Sequence, residues 1–109
     1  MIGRGFTVSM GIRFTSLPAE DCPLIGNMDY GTATGWELRY SPTFRQIYFR
    51  FYDTTSTLRD VWAIVSIEAG KKYIINGQIF SDGVPRCGVD YTISSSGTGY
   101  ELAPSSRDI

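Results

Sequence analysis

Tyr48, Arg50 and Tyr52 stand at every second position of the run IYFRFYD. Glu37 and Arg39 are likewise two apart in GWELRY, and Trp62 follows in DVWAIV. A spacing of two puts side chains on one face of an extended strand. Aromatic rings stack on the apolar C–H faces of sugars, while guanidinium and carboxylate groups pair with sugar hydroxyls. Glu37, Arg39, Tyr48, Arg50, Tyr52 and Trp62 are therefore the candidate ligand-binding residues, with carbohydrate as the candidate ligand. Two other readings fit the same residues. Tyr beside Arg on a solvated sheet face is ordinary cross-strand pairing, adding a few tenths to about 1 kcal/mol per pair, and this is the default. The face would equally serve as a contact between copies of the chain.

Other chemistry finds little to work with. The chain has no His, which removes the commonest general base and zinc ligand. Cys87 would need a base to act as a nucleophile, Glu37 is isolated among apolar neighbours, and Glu68 falls in a turn. No enzymatic activity is expected, and no cofactor or metal. Asp29, Asp53, Asp60, Asp82 and Asp90 fall near strand ends but are not grouped as calcium ligands are. Turn aspartates ordinarily cap backbone amides instead. Cys22 and Cys87 form no CxxC pair and are expected as free thiols. Arg4-Gly5 and Gly97-Thr98-Gly99 join no strand to a helix, so they read as turns rather than phosphate loops.

The sequence of 109 residues is the size of one domain, 1–109. A formal net charge of −1 with both signs interspersed argues against a nucleic-acid partner. No apolar run is long enough for a membrane-spanning helix. In MIGRGFTVSMGIRF the apolar residues alternate with polar ones, so the start does not read as a signal peptide.

The elements that must position these residues are strands. Phe6, Val8, Met10, Ile12 and Phe14 alternate with polar or small residues. Leu24-Ile25-Gly26 reads as a short strand; Trp36, Leu38 and Tyr40 share one face of the next, and Ile47, Phe49 and Phe51 one face of the next again. Thr54 to Arg59 reads as a polar hairpin loop, followed by a strand carrying Val61, Ala63, Val65 and Ile67. After a turn at Glu68-Ala69-Gly70-Lys71, Tyr73, Ile75, Gly77 and Ile79 alternate. Asp82-Gly83 is a hairpin signal, and Cys87, Val89, Tyr91 and Ile93 read as one last strand. The remainder, Ser94 to Ile109, has only Tyr100 and Leu102 as apolar anchors. Seven or eight strands and no helix predict an all-β antiparallel sandwich or barrel.

The order FTVSMGIRFTSLP, LIG, GWELRY, IYFRFYD and SIEAGKKYIINGQIFSDG resembles the concanavalin A-like jelly roll of the laminin-G and pentraxin type. Gly70, Lys71 and Tyr73 match that family's Gly-Lys-aromatic strand approximately, and Ser81-Asp82-Gly83 its turn, although Ile74 stands where the family usually has His. The resemblance implies a jelly-roll fold and a carbohydrate- or protein-binding role on a sheet face. It also implies a viral or microbial surface structure, and so an extracellular or virion-associated setting. Hydrolase relatives carry a Glu-x-Asp-x-x-Glu motif that this sequence lacks. Set against the family, the sequence starts at the second expected strand and stops early. Unpaired edges would then be covered by a second copy, which predicts a homo-oligomer. The resulting expectation is a non-catalytic binding module for a glycan. The alternative is a structural assembly protein whose sheet faces and edges mediate homo-oligomerisation.

Overall fold

The computed structural model describes residues 6–79, 83–90 and 92–95. Eight strands build two antiparallel four-stranded sheets packed as a sandwich. One sheet is a meander of β2 (Cys22–Gly26), β3 (Trp36–Ser41), β4 (Gln46–Tyr52) and β5 (Leu58–Trp62), in that order. The other has β1 (Phe6–Arg13), then β6 (Lys72–Ile79), β7 (Pro85–Val89) and β8 (Thr92–Ser95). Strands in chain order change sheet only between β1 and β2 and between β5 and β6.

The alternating apolar residues meet between the sheets. Trp36, Leu38 and Tyr40 of β3 and Ile47, Phe49 and Phe51 of β4 face Tyr73, Ile75 and Ile79 of β6 and Cys87 and Val89 of β7, all buried. β1 packs its Phe6, Val8, Met10 and Ile12 against this cluster as a half-buried flank. Phe6 lies 5.1 Å from the Trp36 ring, and Phe14, just beyond β1, lies 5.1 Å from Tyr40.

Two glycines permit close approaches. At Gly77, on the inner face of β6, a Cβ would stand 2.6 Å from the Phe49 ring. At Gly26, a Cβ would meet the Trp36 carbonyl at 2.4 Å and the Glu37 Cβ at 2.5 Å, so only glycine lets β2 lie this close to β3. Because β2 is an edge strand with a register shift between Pro23 and Ile25, it can move partway aside. Gly26→Ala is expected to cost about 1–2 kcal/mol, read as a lower midpoint in urea denaturation.

Three boundaries differ from the expectation. The strand around Val61 starts and stops earlier, because Tyr52 pairs with Leu58 across a short turn. Beyond Trp62, the Ala63 N–H donates to the Ile47 carbonyl and the Ile67 N–H to that of Arg45. The four-residue step from Ala63 to Ile67 faces only the two-residue step from Ile47 to Arg45, so the chain bulges, burying Ala63 and Ile67 and leaving Ile64 76% exposed. The last expected strand is a hairpin instead. Asp90 takes a left-handed φ of 53°, its N–H donates to the Ile74 carbonyl, and its Oδ1 accepts from the Ile74 N–H. β8 then runs back along β7, so Ser94 and Ser95 belong to a strand. β2 begins at Cys22, two residues before Leu24. Arg4-Gly5, Ser81, Asp82, Tyr91, Gly97-Thr98-Gly99, Tyr100 and Leu102 lie outside the described residues.

Candidate functional site

Alternation in the meander sends one set of side chains into the core and the other outward. Pairing places Glu37 opposite Arg50, Arg39 opposite Tyr48, Tyr48 opposite Trp62 and Arg50 opposite Asp60. All six residues expected from the sequence, Glu37, Arg39, Tyr48, Arg50, Tyr52 and Trp62, therefore share the outer face of this sheet.

Tyr48 is the centre of the face and is only 3% exposed. Its hydroxyl donates to Asp21 Oδ2 at 2.5 Å and accepts from Arg39 Nε at 2.8 Å. Arg39 shares that N–H with Asp21 Oδ1 at 2.7 Å, and its Nη2 also binds Asp21. The Arg50 guanidinium lies over the Tyr48 ring, 5.2 Å from its centre, while Trp62 packs against the ring at 6.0 Å with a tilt of 34°. Burial, together with donation to Asp21, pushes the Tyr48 hydroxyl up to about 12. Burial also works to raise the Asp21 carboxyl, but the Tyr48 and Arg39 hydrogen bonds outweigh it and hold the group below its ordinary range.

The charges are strung as a chain across the face. From Asp21 the links run to Arg39, then through its Nη1 to Glu37 Oε2 at 2.7 Å. Tyr30 donates to the same Oε2 at 2.5 Å and accepts from Arg50 Nη1 at 3.5 Å. Arg50 Nε then reaches Asp60 Oδ1 at 2.9 Å. Burial pulls both guanidinium pKa values down, yet pairing with carboxylates raises them overall, so both stay charged. Acid and base alternate along the line, and this alternation holds a half-buried set of charges together. Tyr52 joins through an edge-on contact with the Tyr30 ring at 6.0 Å.

These bonds turn most of the expected ladder inward. Glu37 and Tyr48 are almost covered, 5% and 3% exposed, and Arg39 and Arg50 are occupied by carboxylates. What stands free is Trp62, 44% exposed, with Phe44, 63% exposed, on the turn between β3 and β4. With Gln46 the two rings line a shallow groove of about 300 Å³. Asp21, Tyr30, Phe44 and Gln46 did not stand out in the sequence, and Asp60 stood out only as a turn carboxylate. Asp60 falls two residues before Trp62, so starting that strand at Leu58 would have found it.

Asp29 and Asp53 cap the backbone. Asp29 Oδ1 accepts from the Gly31 N–H at 3.0 Å, and Asp53 Oδ1 from the Thr55 and Thr57 N–H groups at 2.9 and 3.1 Å. Among the described residues no three His, Cys, Asp or Glu side chains are grouped to hold a metal ion. Cys22 and Cys87 are free. Burial pushes the Cys87 thiol up to about 12, where it stays protonated and points at the Ile47 carbonyl.

Fold and face define an all-β domain of two packed four-stranded antiparallel sheets, with a buttressed aromatic pair on one outer surface. Compared with protein families, curated proteins and solved structures, the chain matches none.

Proposed function

We propose that this domain is a non-catalytic binding module for carbohydrate, with the groove between Phe44 and Trp62 as its contact surface. The observation that carries the proposal is the pair of exposed aromatic rings flanking a polar Gln46. Large exposed rings beside hydrogen-bonding groups suit a ligand with apolar C–H faces and hydroxyls. Beneath them the Tyr48, Arg39 and Asp21 bonds fix the ring on which Trp62 rests, so Trp62 loses little freedom when a sugar stacks on it. A concanavalin A-like, jelly-roll fold would add weight to this reading. The strand order, with two crossings between sheets, gives that finer description no support of its own.

Binding to a glycan array tests the proposal. Trp62→Ala is expected to weaken binding at least about tenfold, some 1.4 kcal/mol, with an unchanged circular dichroism spectrum. An array with no signal, or binding indifferent to Trp62→Ala combined with Phe44→Ala, would overturn it.

One observation favours assembly instead. β5 is an outer strand of its sheet, and Leu58 and Trp62 on it, with Ile64 just beyond, are exposed. Unpaired edges with apolar side chains are where a second copy attaches. The solution mass by light scattering separates the two readings. A dimer or trimer that Trp62→Ala converts to monomer, with no sugar signal, means assembly; a stable wild-type monomer excludes it.

A further inference from the structure

We infer that the free edge of β1 is an acceptor site for one extended segment of a partner protein, apolar on its inner face and acidic opposite Arg13 on its outer face. This edge belongs to the other sheet and is independent of the Phe44–Trp62 groove.

Among the described residues the two sheets have four edge strands, β1, β2, β5 and β8. The unpaired N–H and C=O groups of an edge template a further strand unless something blunts them. β2 carries Pro23 and a register shift, β5 ends after five residues at the bulge, and β8 has four residues. β1 has none of these features. Its eight residues hold an unbroken register with β6 and include no proline.

The backbone groups that β1 offers can be assigned. Successive residues of an antiparallel pair direct their N–H and C=O to opposite sides. The Asp90 N–H donates to the Ile74 carbonyl, so the even-numbered residues of β6 turn toward β7 and the odd-numbered ones toward β1. Phe6, Val8, Met10 and Ile12, their partners, are thereby bonded to β6. Thr7, Ser9, Gly11 and Arg13 present N–H and C=O at the free edge, where no described strand pairs with them.

The facing sheet decides what fits there. β1 lies over β3, through Phe6 on Trp36 and Phe14 on Tyr40, and β6 lies over β4, through Gly77 on Phe49. β2 therefore projects one strand beyond β1, with no described strand above it. A whole second sandwich meeting β1 edge-on would collide with β2, whereas a single segment has no second layer to collide. Apolar residues at alternate positions of that segment would continue the half-buried row of Phe6, Val8, Met10 and Ile12.

Charge selects the segment's outer face. Arg13 stands directly opposite Lys72, both are exposed, and like charges in that position repel. The Lys72 chain lies back over β1, its Cε 3.6 Å from where a Gly11 Cβ would be. Arg39, Arg50 and Arg59 are each paired with a carboxylate, but Arg13 and Lys72 have none among the described residues. A carboxylate opposite Arg13 on an added strand would offset the repulsion.

Two synthetic peptides alternating valine and threonine, one with a central glutamate and the other with a central lysine, probe the edge. Titrated into the whole chain and followed by two-dimensional amide NMR, the glutamate peptide should give saturable shifts at Thr7, Ser9, Gly11 and Arg13. It should bind about fivefold more tightly than the lysine peptide, an advantage that fades with added salt. Ser9→Pro removes an edge N–H without costing a bond to β6 and should abolish binding of both peptides. Arg13→Glu, which gives Lys72 a carboxylate, should erase the preference even if Ser9→Pro does not fold. No saturable shift at β1, shifts that survive in folded Ser9→Pro, or equal binding of the two peptides by the wild-type chain would overturn the site. So would β1 shifts on concentrating the chain alone, which would put a second copy on that edge.

Discussion

Gly77→Ala is expected to destabilise the domain by about 3 kcal/mol, at the upper end for overpacking, a large part of the 5–15 kcal/mol of a typical domain. The added methyl would lie 2.6 Å from Phe49 Cδ1 and 2.9 Å from Cγ. Phe49 cannot swing away. It is fully buried, stacked on Phe51 at 5.4 Å and facing Phe6 at 6.4 Å, with Leu38 and Val61 opposite it on the neighbouring strands. β6 cannot retreat either, because β1 and β7 pair with it on both sides. Shrinking the ring should make room. In Gly77→Ala combined with Phe49→Leu the loss is expected to be smaller than the sum of the two single losses, since the pair shares one space. Urea denaturation of the four proteins measures this, and strict additivity would show that Gly77 and Phe49 are independent.

Asp53→Ala is expected to cost a further comparable amount, about 2–4 kcal/mol. Its carboxylate, 3% exposed at the end of β4, organises the turn into β5. Oδ1 accepts from the Thr55 N–H, the Thr57 N–H and the Thr55 hydroxyl, and Oδ2 from Arg59 Nε at 2.8 Å. Burial alone would raise the carboxyl; these donors overcome it and hold the group at about 2, against an ordinary 3.8. A depressed folded value means that the ionised group stabilises the fold above about pH 4, and that this contribution disappears as pH falls through 2. Its size is about 2 kcal/mol. Asp53→Asn keeps the shape without the charge. The stability difference between wild type and Asp53→Asn should be constant from neutral pH to about 4 and then shrink toward pH 2. A difference indifferent to acid would show that the charge contributes nothing.

The period of two in β1, β3 and β4 made the sandwich legible, because each of these strands buries one face and wets or half-covers the other. Where that pattern blurs, reading failed. Val61, Ala63, Val65 and Ile67 alternate as a strand would, yet the last three lie on a bulge whose hydrogen bonds to Arg45 and Ile47 follow no strand register. Asp90 could not be seen as a turn, since its left-handed φ is held by bonds to Ile74, sixteen positions earlier. The outer face was readable as a set of residues but not as a surface. Asp21 reaches Arg39 from eighteen positions away and Tyr30 reaches Arg50 from twenty. Such loop-borne partners, invisible to any local period, decide that Tyr48 is covered and Trp62 is not.

Arg13 pairs with Lys72, and Phe6 with Ile79, although every strand of the meander pairs with its neighbour in sequence. On a chain emerging from the ribosome, β2 to β5 each meet a partner as soon as the next strand is made. β1, made before the meander, has none until β6 has been synthesised. The sheet bearing the aromatic groove can therefore close on local loops alone, at small entropic cost. The apolar row from Phe6 to Phe14 is left as nascent surface until Lys72 to Ile79 has been made, so cotranslational handling of this domain concerns β1 above all.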